Sequence, residues 1–152
     1  MPTAYIKTPL GIAKIVGDST GVSEISISDD GIVSNTIPEV LVDVADQLED
    51  YFLKKRIDFD FKTNPQGTEF QQKVWQELSK IPFGKTISYL DLTKKLGDVK
   101  AIRAVASANG KNPLWIVIPC HRVIGTDGSL TGYAGGLWRK KWLLEHENPT
   151  KQ

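Results

Sequence analysis

The chain's 152 residues suit one domain or two small ones, and an ordinary composition with 24% charged side chains excludes a disordered or low-complexity protein. One cysteine excludes an internal disulfide and the cysteine-rich zinc motifs, and no apolar run nears the roughly 20 residues of a membrane helix. With no signal-like apolar segment at the start, a reducing, cytoplasmic setting without metal is expected.

Charge is unevenly spread. Residues 1–60 carry 5 basic and 11 acidic side chains, whereas residues 61–152 carry 14 basic and 7 acidic. An acidic front and a basic back predict two units, with a polyanion-binding surface on the second.

The first thirty residues read as β. Ala4–Lys7 and Ile12–Val16 flank the turn signal Pro9-Leu10-Gly11, and Val22–Ile27 alternates at period two after Asp18-Ser19-Thr20-Gly21. An antiparallel meander is expected. From Pro38 the period becomes helical, with Val40, Leu41, Val44, Leu48, Tyr51 and Phe52 on one stripe that covers a face of the meander. Nothing in this half carries recognisable chemistry. Asp58–Gly67 reads as an extended connector, placing a boundary between units at 62/63.

Thr68 then offers a cap for a helix whose apolar stripe is Phe70, Val74, Trp75 and Leu78. Ser88 caps a second helix, in which Leu92 and Leu96 face inward and Gly97 closes the end. A third runs from Lys100 to Asn109 and stops at Gly110. Two short helices on a tight glycine-containing link make a helix-turn-helix. The third helix carries Ala101, Ala104, Ala106, Ser107 and Ala108, with Arg103 its one long polar side chain in the middle. Small residues permit tight helix packing or close approach to a nucleic-acid groove, and the basic context favours the groove.

Leu114-Trp115-Ile116-Val117-Ile118 reads as a buried strand that delivers Cys120 to a pocket mouth. A lone cysteine is often a small core hydrophobe. Here the neighbours His121 and Arg122 are groups that lower a thiol pKa, which favours a nucleophile. Gly125-Thr126-Asp127-Gly128 signals a hairpin. Leu137–His146 forms a last helix with Leu137, Trp142, Leu143 and Leu144 available for a core.

Several of these segments together resemble the O6-alkylguanine-DNA alkyltransferases, also called methylated-DNA–protein-cysteine methyltransferases. The resemblance rests on Ile118-Pro119-Cys120-His121-Arg122-Val123, on Arg103-Ala104-Val105 with Ala108-Asn109-Gly110-Lys111-Asn112-Pro113, and on Ser88-Tyr89. Gly132-Tyr133-Ala134-Gly135-Gly136-Leu137 and Trp142-Leu143-Leu144-Glu145-His146-Glu147 complete it, so that it covers roughly residues 68–147 in order. It implies an α+β protein: a small N-terminal antiparallel sheet with a helix, ribonuclease H-like, followed by a C-terminal winged helix-turn-helix over 63–152.

The implied activity is a single-turnover transfer of an alkyl group from O6 of a flipped guanine in duplex DNA, and possible O4-alkylthymine repair, by a monomer without cofactor. Cys120 matches the acceptor. His121 matches the histidine that meets the thiol through a water, and Glu147 the residue that orients it. Arg103 matches the arginine that replaces the flipped base, and Tyr89 the tyrosine that crowds the 3′ phosphate. Asn112 matches the asparagine that braces the turn before the acceptor. Ala104, Ala106, Ser107 and Lys111 belong to the DNA-facing helix by the same match, with Arg122 read as structural support or a DNA contact. Tyr133, Ala134, Val123 and Trp115 correspond to the alkylguanine pocket. Two departures stand out: Val99 replaces a common proline, and the zinc ligands of some relatives are absent.

Chemistry sets the scale of what the thiol alone can do. A free thiol is a few per cent ionised near neutrality, and full ionisation raises the thiolate about 30-fold, roughly 2 kcal/mol of barrier. Most of the acceleration must come from in-line placement of sulfur and from stabilising the departing oxygen. A cysteine hydrolase built on Cys120 and His121 is the competing reading. Adjacent strand residues point to opposite faces, so it requires a kink at Pro119.

Overall fold

Alternation of inward and outward side chains builds the first sheet. Strands β1 (Thr3–Thr8), β2 (Gly11–Asp18) and β3 (Gly21–Ser28) pair antiparallel in the order β1-β2-β3, with Ala4 opposite Ile15 and Ile15 opposite Ile25. Ala4, Ala13, Ile15, Val22 and Ile25 are buried. Helix α1 (Glu39–Phe52) packs on β1 and β2 through Leu41, Val44, Leu48 and Tyr51, while Val40 of the expected stripe faces solvent. Each of those buried side chains contributes about 1.5–3 kcal/mol.

The computed structural model describes residues 1–133 and 135–149. Its architecture is α+β, and contacts divide it into one unit of Met1–Gln66 with Pro113–Val117 and another of Gly67–Asn112 with Ile118 onward. The division differs from the expected 62/63 in two respects. Thr63 forms a parallel bridge to Val22, and the Asn64 amide donates to the Val22 carbonyl at 2.7 Å, which carries the first unit to residue 66. Leu114 bridges Ile25, with Ile25 N donating to Pro113 O at 2.8 Å and Trp115 N to Ile25 O at 2.9 Å. Both segments pair the outer edge of β3, a common way to protect an exposed strand.

The expected strand over Leu114–Ile118 is therefore a correction. Beyond the single bridge the run is a buried turn, and Ile116 adopts a left-handed backbone at φ 72°. A short apolar run reports burial and does not separate a strand from a buried turn. Trp115, expected at the pocket, is a core residue of the first unit, 6.1 Å from Phe52 between ring centroids.

The second unit is mostly helical. Helix α2 (Glu69–Leu78) opens with a full capping box: Gln71 N donates to Thr68 Oγ1, and Thr68 N donates to Gln71 Oε1. Such a cap contributes about 1 kcal/mol. Val74, Trp75 and Leu78 are buried, whereas Phe70 is exposed. Trp75 Nε1 donates to the Ala108 carbonyl at 2.9 Å and ties α2 to α4 (Ile102–Gly110). Helix α3 (Tyr89–Lys95) is capped by Ser88, and a short 3-10 turn over Val99–Ala101 precedes α4. The last helix, α5, spans Leu137–Glu147; Leu143 is buried but Leu137 is exposed.

No hairpin forms at 125–128 among the described residues. Gly128 N donates to Gly125 O, so the turn exists, but β5 (Val123–Ile124) pairs in parallel with β4 (Ile87–Ser88) instead. That pairing brings the residues after Cys120 beside the start of α3.

Candidate active site

Pro119 sets the geometry around the thiol. At φ −82° and ψ 63° it forms an inverse γ-turn, closed by Cys120 N donating to Ile118 O at 2.8 Å. The chain then enters a 3-10 turn over Cys120–Arg122, with Arg122 N donating to Pro119 O at 3.0 Å. Asn112 braces this bend from the far side: its Nδ2 donates to Ile118 O at 2.6 Å and to Cys120 Sγ at 3.2 Å. A side chain that holds both the turn and the sulfur fixes where the nucleophile points.

His121, Arg122 and Glu147 form a buried network behind the thiol. His121 Nε2 lies 2.7 Å from Glu147 Oε2, and Arg122 donates through Nε to Oε1 at 2.7 Å and through Nη2 to Oε2 at 2.9 Å. Its Nη1 donates to Ile81 O at 2.7 Å, and Phe83 lies against the guanidinium. Burial pushes the Glu147 carboxyl up, but hydrogen bonds from His121 and Arg122 outweigh it and hold the group well below the usual carboxylate range. Burial pushes the His121 pKa down, against the opposing pull of Glu147. A neutral imidazole beside a carboxylate carries its proton on Nε2, which leaves Nδ1 as an acceptor; that buried nitrogen has no hydrogen-bond partner among the described residues.

Two expectations change here. Arg122 is buried and committed to Glu147 and Ile81, so it is a structural cation and not a DNA contact. The thiol is not acidified by its sequence neighbours: burial pushes Cys120 up, with Asn112, Lys140 and Tyr133 acting in the opposite direction. The thiol is therefore held protonated until a base removes its proton.

Lys140 went unrecognised in the sequence. It is fully buried, donates from Nζ to Thr131 O at 2.8 Å and lies 5.8 Å from the Tyr89 ring centre. Burial lowers its pKa to about 8, with the Cys120 charge pulling it up. Asn109 was missed as well; it is buried and donates through Nδ2 to Tyr89 Oη at 3.1 Å. Burial raises the Tyr89 pKa against that bond, so the phenol keeps its proton.

A cavity of about 550 Å³ opens beside this cluster, with Tyr89, Arg103, Ala106, Thr131 and Tyr133 among its walls. Its size lies within the roughly 300–1,000 Å³ of small-molecule sites. Helix α4 turns Val105, Ala108 and Asn109 inward and Arg103, Ala104, Ala106 and Ser107 outward, with Lys111 exposed just beyond its end. The outward face is thus nearly bare apart from Arg103. Val123 follows the 3-10 turn with its side chain in the core. Ala134 lies outside the described residues.

A buried, braced thiol, a carboxylate-held imidazole and a neighbouring cavity with Arg103 in its wall form a candidate nucleophilic site. Residues 69–149 match the family model for the 6-O-methylguanine DNA methyltransferase DNA-binding domain. A Methanosarcina acetivorans methylated-DNA–protein-cysteine methyltransferase is 41% identical over 152 residues, covering 95% of this chain and 96% of that protein. The crystal structure of Mycobacterium tuberculosis OGT in complex with DNA superposes with a TM-score of 0.87 at 38% identity, covering 97% of this chain and 92% of the other. An O6-methylguanine DNA methyltransferase from Methanococcus jannaschii gives a TM-score of 0.69 at 31% identity, over 94% and 92% of the two chains. The chain belongs to the methylated-DNA–protein-cysteine methyltransferase family of enzymes.

Proposed function

We propose that this protein repairs duplex DNA by moving the alkyl group of a flipped O6-alkylguanine onto Cys120, once per molecule. The carrying observation is that Tyr133 lines the cavity and lies near the Cys120 sulfur, which Asn112 holds at 3.2 Å, so a base held there is presented to the sulfur. Sulfur attacks the alkyl carbon, an S–C bond forms, and the C–O6 bond breaks. The thiol proton is transferred to Nδ1 of His121 through a bridging water, and the departing oxygen is met by a hydrogen bond from a pocket tyrosine. That tyrosine passes its proton to the departing guanine and is reprotonated through solvent from His121, so the proton the thiol loses is the one guanine gains. A thioether's thiolate is a poor leaving group at an alkyl carbon, which makes the step final.

The second unit serves as the DNA-binding and alkyl-acceptor domain. Its α3–α4 pair with β4–β5 alongside supports a winged helix-turn-helix, and the sheet and α1 of the first unit support a ribonuclease H-like scaffold. A bare α4 face lets the backbone approach a minor groove, Arg103 fills the vacated stack, and Tyr89 crowds the phosphate. A monomer working in the reducing cytoplasm suits a reaction that needs a free thiol.

Intact mass after incubation with duplex DNA containing O6-methylguanine tests the proposal. One methyl per chain, mapping to Cys120, is expected; repeated turnover, or methyl on another residue, would sink it. The pH profile is a second check. The single-turnover rate is expected to hold through neutrality, because His121 is neutral well below the ordinary histidine range, and to fall above about pH 8 as Lys140 loses the charge that supports the thiolate. In Lys140→Met the rate should be low without that alkaline limb. A wild-type rate that climbs steadily through pH 9 would mean simple thiol ionisation controls the reaction.

A further inference from the structure

Tyr133 sits between two carbonyls that are gripped by consecutive residues of α5. Lys140 Nζ donates to Thr131 O at 2.8 Å on one side, and Arg139 Nη1 donates to Gly135 O at 2.9 Å on the other. Arg139 is buried, an uncommon place for a guanidinium. Its planar face lies 4.5 Å from the ring centre of Trp138, a contact that shields a cation from water at little cost. Trp138 in turn covers Gly136: a Cβ there would meet Trp138 Cδ1 at 3.4 Å, and Gly136 has φ 93°. Backbone bonds complete the bracket, with Gly136 N donating to Tyr133 O at 2.9 Å and Arg139 N to Gly136 O at 3.2 Å.

We infer that Arg139, roofed by Trp138, is a positioning residue that sets the width of the alkyl-binding side of the pocket. The inference rests on the alkyl-transfer reading above. Glycine-rich backbone has little intrinsic stiffness, so a loop with Gly132, Gly135 and Gly136 around one pocket tyrosine needs outside support. Lys140 anchors its entry and Arg139 its exit. Releasing the exit lets the loop widen, which harms the placement of a small alkyl group more than that of a large one that fills the space itself. The Trp138 ring is half exposed, so it acts through the guanidinium and not through the core.

The test compares single-turnover rates on duplex DNA bearing O6-methylguanine with rates on the same duplex bearing O6-benzylguanine. In Arg139→Ala and in Trp138→Ala the benzyl-to-methyl rate ratio is expected to rise by about tenfold, chiefly through a slower methyl transfer. Arg139→Lys, which can still donate once to Gly135 O, should recover part of the wild-type ratio. Trp138→Ala removes an exposed ring and keeps the chain folded even where Arg139→Ala does not. An unchanged ratio in Trp138→Ala, or in a folded Arg139→Ala, overturns the inference, including the case where both rates fall together. A wild-type protein that takes neither alkyl group would instead overturn the transfer reading itself.

Discussion

Replacing Glu147 with alanine is expected to cost about 3–5 kcal/mol of folding stability and to slow alkyl transfer by at least about 100-fold. The carboxylate accepts bonds from both His121 and Arg122, and all three are buried. Its removal leaves the Arg122 guanidinium without its charge partner in a dry site, which is the costly way to break a buried pair. It also frees the His121 ring to place its proton on either nitrogen, so that Nδ1 no longer stands ready as the acceptor. Urea unfolding and single-turnover kinetics on the same samples read both effects. Glu147→Gln, which keeps one acceptor oxygen, should fall between the two proteins. A stability loss under about 1 kcal/mol would mean that the network does not hold the unit together.

The same network makes the protein acid-labile. The folded-state pKa values of Glu147 and His121 are both depressed, so the unfolded chain binds protons first as pH falls. Stability is full above the ordinary histidine value, declines below about pH 6.5 and falls further through the carboxylate range.

Arg103→Ala is expected to slow repair of duplex DNA on the order of 100-fold while leaving reaction with free O6-benzylguanine nearly unchanged. Extruding a base costs a few kcal/mol, and each 1.4 kcal/mol that the arginine offsets is worth about tenfold in rate. Arg103 stands on the outer face of α4 and makes no hydrogen bond or ion pair to the thiol network among the described residues, so its loss should not disturb Cys120. A free base needs no extrusion. Equal losses on both substrates would remove Arg103 from the flipping role. Binding should also lose about one unit of salt dependence if the side chain lies near phosphate.

Part of this site is legible in the sequence itself. Thr68 caps α2 as its position suggests, and of the small residues of α4 Ala104, Ala106 and Ser107 form its exposed face whereas Ala108 faces inward. The misreadings share a cause: local sequence reports burial better than it reports direction. Leu114–Ile118 was correctly apolar, yet only Leu114 pairs with a strand, and the positive φ of Ile116 carries no signature in a β-branched residue. Arg122 beside Cys120 suggested an acidified thiol, but a side chain's neighbours in space are set by the turn, and Arg122 turns toward Ile81. Lys140 was hidden in Arg139-Lys140-Lys141, a run that reads as a solvated face. Its spacing with Leu143 and Glu147 was a usable signal, since residues three and seven apart share one side of a helix.

The parallel pairing of β4 with β5 has a consequence for how such a protein can be tuned. Ile87 opposite Val123 and Ser88 opposite Ile124 link the start of α3 to the segment just after the acceptor by backbone alone. The span between Tyr89 and the sulfur is thus a property of the main chain. Side chains on the outer face of α4 can be exchanged to change grip on DNA without resetting the reach of the nucleophile. Affinity and chemistry become separately adjustable, as in a tool whose handle can be recut while the blade stays at its fixed gauge.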